Sequence, residues 1–281
     1  MKLKKNKNDN PSLYGLHAVR EAWLNDTRTV HALYLTPQAA RSFEKTLLEG
    51  KNNGLRRPKP TTIEKSKLDR MLPKGAVHQG IALACSSLEE MDERDLVILL
   101  HQKKRVVVAM LDQVTDPHNI GAILRSASAF GIDGAIMQKK HAPELGGVLA
   151  KTACGAIDHI PVAKATNLSR AMEEFQAAGF IAVGLDERGE NTIDNLGNAT
   201  RNISLKNKNA TTKPLDVAPP PLGHHDKILL ILGSEGNGIR HLIKEKCDAL
   251  VRLPTKGAIA SLNVSNAAAV AFYVMSDSKS D

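Results

Sequence analysis

Apolar positions along the 281-residue chain follow two different patterns. In the first part they are short and mixed. Leu13, Leu16, Val19, Ala22 and Trp23 recur at helical spacing behind Ser12, which predicts a helix capped by Ser12 and running to about Leu24. The run VHALYLT, from Val30 to Thr36, reads as a strand, and Pro37 opens a helix to Leu48 at the one position where a missing N–H costs nothing. A loop rich in Lys, Arg and Pro (51–60), a short helix near Lys65 to Met71 and a strand from Ala76 to Cys85 complete a small α/β domain over residues 12–85. Residues 1–11, polar and lysine-rich, read as a mobile basic arm, and the mostly charged residues 86–104 as a linker.

From Arg105 onward the pattern becomes one of continuous apolar runs: Val106 to Leu111, Gly134 to Met137, His159 to Val162, Phe180 to Leu185, Ile228 to Leu232 and Ala249 to Leu253. Helical patterns separate most of them. Such strands predict a parallel sheet covered on both faces, in a second domain spanning 105–281. One connection is too long for an ordinary loop. Residues 187–226 hold four prolines, six asparagines and no aromatic residue, and read as a flexible surface insertion. The pair His224 and His225 within it has no third ligand in view and reads as solvated.

Composition narrows the classes. No run approaches the roughly 18 apolar residues that span a bilayer, and no apolar segment follows the first lysines, so the expected location is the cytoplasm, away from membrane. Cys85, Cys154 and Cys247 are odd in number and far apart, which argues against disulfides or a thiolate metal site and for buried, reduced side chains. The net charge of +8 is carried by the first third: residues 1–105 hold 20 Lys and Arg against 12 Asp and Glu, whereas the rest is balanced at 18 against 18. That asymmetry points to a polyanion, with nucleic acid favoured over membrane. Aromatics at 3% make stacking platforms scarce, so recognition through backbone and shape is expected. Arg56, Arg57, Lys59, Lys65 and Lys67 are the candidate phosphate contacts, although any one of them alone reads first as merely solvated.

Three segments of the second domain carry candidate chemistry. In LDQVTDPHNIGAILRSASAFG (111–131) a strand enters a polar loop and then a helix, the place where α/β proteins build ligand sites. Asn119 there reads as a helix cap or a ligand contact, and Arg125, six residues on, as a solvated or a functional cation. In ILGSEGNGI (231–239) Gly233, Gly236 and Gly238 let backbone approach a ligand closely, yet neither a P-loop nor a dinucleotide fingerprint is present. In LPTKGAIASLNVSN (253–266) a strand turns through Gly257 to a small-residue helix carrying Ser261 and Asn263.

Together these segments resemble the SpoU-type, TrmH-like branch of the SPOUT RNA ribose methyltransferases. The motifs appear in family order: Asn119 with Arg125, Gly-x-Glu-Gly around Glu235, and Ser-Leu-Asn from Ser261 to Asn263. Upstream, YGLHAVR (14–20) and HQGIA (78–82) look like the bounds of the small RNA-binding domain found in several members. With TDPHNIGA and ACGA the match looks closest to the bacterial 23S rRNA guanosine-2′-O-methyltransferases.

The resemblance implies an α/β fold with a deep trefoil knot, S-adenosylmethionine held by the backbone around Gly233, Leu253 and Leu262, and a homodimer through the catalytic domain. It makes Arg125 the group that accepts or orients the ribose hydroxyl proton. Asn119 and Asn263 would orient ribose and arginine, Glu235 would pair with Arg125 or fix its loop, and Ser261 would hydrogen-bond nearby. No metal is called for, because the sulfonium methyl is already activated. Two rivals stand beside this reading: a tRNA ribose methyltransferase, and a noncatalytic RNA-binding or ribosome-assembly protein, against which the intact motif residues argue.

Overall fold

The computed structural model describes residues 10–195, 227–257 and 261–276. The expected basic arm therefore lies almost wholly outside the described residues, as do residues 196–226 of the expected insertion. The chain divides into two compact units. The first comprises residues 1–89, 120–125 and 143–159, and the second residues 90–119, 126–142 and 160–281.

The first unit is built on β1 (Leu13–Tyr14), α1 (Leu16–Leu24), β2 (Val30–Leu35), α2 (Pro37–Asn52), β3 (Thr61–Thr62), α3 (Lys65–Asp69) and β4 (Ile81–Cys85). Its sheet has the order β1-β4-β2-β3, with β4 antiparallel to both neighbours and β3 parallel to β2. Ser12 does not cap a helix: its N–H donates to the Leu83 carbonyl, and Leu13 and Tyr14 form a strand edge instead. The helix starts after Gly15, whose φ of +92° suits glycine, and Gln79 Oε1 accepts from the Leu16 N–H. The strand expected from Ala76 begins only at Ile81, because the preceding residues turn through Gln79 and Gly80 at positive φ. Trp23 packs edge-on to Phe43 beneath α2, whose N-cap is Thr36.

The second unit holds α4 (Glu93–Leu100), β5 (Val106–Asp112), both ends of α5 (Pro117–Ala129), β6 (Gly134–Gln138), β7 (Val162–Ala165), α7 (Leu168–Ala177), β8 (Ile181–Leu185), β9 (Asn191–Thr192), β10 (Lys227–Gly233), α8 (His241–Lys244), β11 (Ala249–Arg252) and α9 (Val264–Met275); α6 (Gly147–Thr152) belongs to the first. Its seven strands are all parallel, in the order β7-β6-β5-β10-β8-β11-β9. Leu229, Ile231, Val106, Val108 and Met110 fill one face of the core with Phe175 and Phe180, whose rings meet edge to face at 4.9 Å.

Three expectations need correction here. Residues 86–104 are no simple linker: Asp92 and Asp95 form a reciprocal capping box for α4, and Leu96 and Leu100 are buried in the core of the parallel sheet. The apolar run at 159–162 is displaced, since a 3-10 turn occupies Ala156–Asp158 and the strand begins at Val162. Finally, residues 187–195 are ordered rather than inserted. Asn191 and Thr192 pair with β11, and Ile193 behind them is fully buried.

Polar groups inside the first unit serve its packing. Arg28 and Asp158 are almost wholly buried and bonded twice, Nε to Oδ1 at 2.7 Å and Nη2 to Oδ2 at 3.2 Å, with Asn25 Nδ2 on Oδ1 at 2.9 Å. His78 accepts from the Gly80 N–H on Nδ1, which leaves Nε2 to face Asp69 at 2.8 Å. The three cysteines are free; Cys85 is buried, whereas Cys154 and Cys247 are only partly so, less than the sequence suggested. Burial pushes the Cys247 thiol up to about 12 and raises Cys85 as well.

Candidate active site at the carboxyl edge of the parallel sheet

An all-parallel sheet brings every strand's carboxyl end to one edge, where the following loops gather. Four of those ends supply the site: Asp112 of β5, Leu185 of β8, Gly233 of β10 and Arg252 of β11. Between the last three lies a cavity of about 680 Å³.

Each motif side chain reaches this edge for a local reason. Asp116, not Asn119, caps α5: its carboxylate accepts from the His118 N–H at 2.9 Å, and Pro117 follows as the first helical residue. The Asn119 side chain is thereby released from capping. Asn263 caps α9 with its oxygen, which accepts from the Ser265 N–H at 2.9 Å, so its amide nitrogen points elsewhere. Glu235 stands on a tight loop closed by a bridge between Ser234 and Gly238, with Gly236 at φ +80°. A Cβ on Gly233 would sit 2.2 Å from the Gly238 carbonyl carbon, so no larger residue fits beneath this loop.

The three side chains meet. Asn119 Nδ2 donates to Glu235 Oε1 at 3.1 Å, Asn263 Nδ2 donates to the same oxygen, and Asn263 Nδ2 also lies 3.1 Å from Asn119 Oδ1. Residues 116 and 144 apart in sequence are thus joined on one carboxylate oxygen. Glu235 fixes its own loop to both asparagines, rather than pairing with Arg125. Glu235 and Asn263 are solvent-exposed and Asn119 is half-buried, so the cluster is open to a ligand.

Gly233, Glu235, Leu253, Ser261, Leu262 and Asn263 all line the cavity. Arg125 lies on the exposed side of α5, a turn and a half beyond Asn119, with no hydrogen-bond or ion-pair partner among the described residues. Of the basic candidates in the first unit, Arg56, Lys59 and Lys67 are exposed, and Lys65 bonds Asp69 at 3.1 Å. Arg57 is spoken for. Its guanidinium donates to the carbonyls of Trp23, Arg28 and Asn25 at 2.7, 3.0 and 2.5 Å, closing the C-terminal turn of α1, so it is a packing residue and not a free phosphate contact.

The sequence reading missed the charged wall of the cavity. Asp186, Arg188, Lys244 and Arg252 all line it. Burial works to raise the Asp186 carboxyl, but the Lys244 ammonium at 2.5 Å and the Arg188 N–H outweigh it and hold the group below its ordinary value. Arg252 reaches the Gly189 and Glu190 carbonyls at 2.5 and 2.8 Å, tying β11 to the segment after β8. Asp186 carries one signal that could have found it: it stands directly after the apolar run from Phe180 to Leu185. Among the described residues no group of three or more His, Cys, Asp or Glu is placed to hold a metal, and no helix is long and apolar enough to cross a membrane.

Comparison with known proteins matches two consecutive segments of the chain. Residues 106–273 match the SpoU rRNA Methylase family, and residues 12–91 match the family described as RNA 2′-O ribose methyltransferase substrate binding. The chain is 33% identical over 264 residues to the 23S rRNA (guanosine-2′-O-)-methyltransferase RlmB of Coxiella burnetii, covering 93% of each protein. It is also 33% identical over 265 residues to a putative TrmH family tRNA/rRNA methyltransferase, YacO, of Bacillus subtilis, covering 92% of each. Among solved structures, the SpoU methyltransferase AviRb of Streptomyces viridochromogenes, in complex with AdoMet, shares the fold with a TM-score of 0.66 at 21% identity, over 93% of this chain and 87% of that one. With both segments matched and the motif side chains gathered at one sheet edge, the chain belongs to the SpoU rRNA methylase family.

Proposed function

We propose that this protein transfers the methyl group of S-adenosylmethionine to a ribose 2′-hydroxyl, that of a guanosine in 23S rRNA. The observation that carries the reading is the Asn119–Glu235–Asn263 cluster at the rim of the cavity. Membership of the family and the names of the full-length relatives supply the substrate class.

The cavity suits the cofactor. Its volume lies within the few hundred to about 1,000 Å³ usual for small-molecule sites. Gly233, Gly236 and Gly238 expose main chain, while Leu232, Leu253 and Leu262 offer apolar surface, a mixture that fits a nucleoside with a charged tail. In this reading Gly233, Leu253 and Leu262 hold the cofactor, which when bound supplies an activated methyl group.

The chain's own residues do the rest by positioning. Glu235 immobilises the Asn119 and Asn263 amides, which orient the ribose, and Ser261 adds a hydroxyl beside them. Arg125 is the group for the 2′-oxygen and a neighbouring phosphate: a guanidinium has five N–H donors and no acceptor, so it orients the hydroxyl by donation. Arg56, Lys59 and Lys67 take RNA phosphates on the first unit. A homodimer through the parallel-sheet unit, a trefoil knot in that unit and a cytoplasmic location complete the proposal.

The test is mass-spectrometric mapping of ribose methylation after incubating the purified protein with S-adenosylmethionine and total RNA from a strain lacking its gene. One new 2′-O-methylguanosine in 23S rRNA is the expected result. Methylation of tRNA alone would overturn the substrate, and no methylation of any RNA, free or in ribosomal particles, would overturn the activity.

A further inference from the structure

We propose that Asp112 is a positioning residue for this reaction: through Arg240 it holds the loop that carries Glu235 against Asn119 and Asn263. The inference rests on the function proposed above and extends it to a residue to which that reading gives no role.

Asp112 ends β5 and is fully buried. An ionised carboxylate in such a place is costly unless it is well bonded, and a buried ion pair is weak evidence of a stabilising role. Among the described residues, its side chain bonds Arg240 alone. The Arg240 N–H reaches Oδ2 at 2.8 Å, while Nε and Nη2 each reach Oδ1 at 2.7 Å.

That residue terminates the catalytic loop. The loop leaves the sheet at Gly233, which is the register partner of Asp112 on the neighbouring strand, and returns through buried Ile239 to Arg240. Both feet of the loop therefore stand on Asp112. Between them, Ser234 N–H bonds the Gly238 carbonyl at 3.1 Å and Gly238 N–H bonds the Ser234 carbonyl at 2.9 Å, which leaves Glu235 at the tip of a closed turn. These two bonds close the turn on itself, so its orientation is set at its feet.

Asp112 also begins the other half of the site. The chain runs from it through Gln113, at φ +58°, and buried Val114 to Asp116, the cap of the helix that bears Asn119. One residue thus links the two segments that must meet for Asn119 to reach Glu235: its carboxylate holds the foot of the Glu235 loop, and its main chain leads into the segment that carries Asn119. Neither Asp112 nor Arg240 lines the cavity, so the effect is exerted through the loop and not on the ligand.

The experiment compares the wild-type protein with Asp112→Asn, Arg240→Lys and Arg240→Ala. Methyl transfer to RNA is measured at saturation and below it, and amide exchange is followed over residues 234–238. Misplacing a catalytic group by about 1 Å costs up to about 100-fold, so kcat is expected to fall at least about 10-fold, with RNA KM and cofactor Kd within about 3-fold of wild type. Loop amides should lose at least about 10-fold of their protection. Arg240 is part-exposed and its backbone bond survives truncation, so guanidinium at tens of millimolar should restore kcat to Arg240→Ala and not to Asp112→Asn. Folded variants with wild-type kcat and unchanged loop exchange would overturn the proposal, as would a loss of kcat that tracks only the unfolded fraction. If the wild-type protein transfers no methyl group, the function itself fails. Loop exchange in the same variants then decides alone whether Asp112 holds the loop.

Discussion

The two units use polar side chains in opposite ways. In the first unit, Asn25, Arg28 and Arg57 in the loops and Asp158 in a 3-10 turn lie outside the strands and are satisfied by the protein itself. At the carboxyl edge of the seven-stranded sheet, Asn119, Glu235 and Asn263 bond one another, with Glu235 and Asn263 exposed and lining a cavity. The topology explains the contrast. Antiparallel strands such as β1, β2 and β4 put neighbouring carboxyl ends on opposite sides, whereas parallel β5, β8, β10 and β11 bring theirs together. Polar groups of the first region hold a shape, and those of the second are left able to act on a ligand.

Breaking each region should therefore break something different. The largest effect is expected from Gly233→Ala, where the new Cβ would meet backbone at 2.2 and 2.3 Å and push the Glu235 loop off the sheet. Cofactor binding by calorimetry and methyl transfer should both fall at least about 100-fold, as for a displaced catalytic group. Next comes Arg28→Ala, which strands the buried Asp158 carboxylate. Denaturant unfolding should show a loss of about 3–5 kcal/mol, with the cofactor bound normally by the folded protein. Arg57→Ala removes three bonds to carbonyls and should cost about 2–3 kcal/mol, without lowering the salt dependence of RNA binding. Lys59→Ala and Lys67→Ala are the mildest: stability should move by under about 0.5 kcal/mol, while each lowers the salt slope of RNA affinity by about 1. A salt slope that drops with Arg57→Ala, or holds with the two lysine variants, would erase the proposed distinction within the first unit.

Much of this was legible in the sequence, and what was missed has physical causes. The long apolar strands β5, β8 and β10 stand out because a central strand of a parallel sheet is buried on both faces. Helix α4 hid in a charged stretch: only Leu96 and Leu100 are fully buried, with Val97 packed half-buried beside them, and its start signal is an Asp-x-x-Asp box rather than a hydrophobic stripe. The two-residue strands β1 and β9 owe their existence to partners 70 and 60 residues away, which no local window contains. At the site, the residue types of Asn119, Glu235 and Asn263 were visible, but not which of them touch. Asp116 took the capping role that Asn119 was read to fill, and Arg57 was drawn under α1 by carbonyls that only the folded turn presents.

The central claim is that Glu235, by gathering two asparagine amides, assembles the methyl-transfer site without supporting the fold. Single-turnover transfer of a labelled methyl group from S-adenosylmethionine to 23S rRNA, by wild type and Glu235→Gln, tests it most directly. The account predicts a rate at least about 100-fold lower for the variant, as when a key electrostatic group is removed from an active site, with an unchanged melting temperature. A variant that transfers at the wild-type rate, or loses rate only in step with its unfolding, would contradict it.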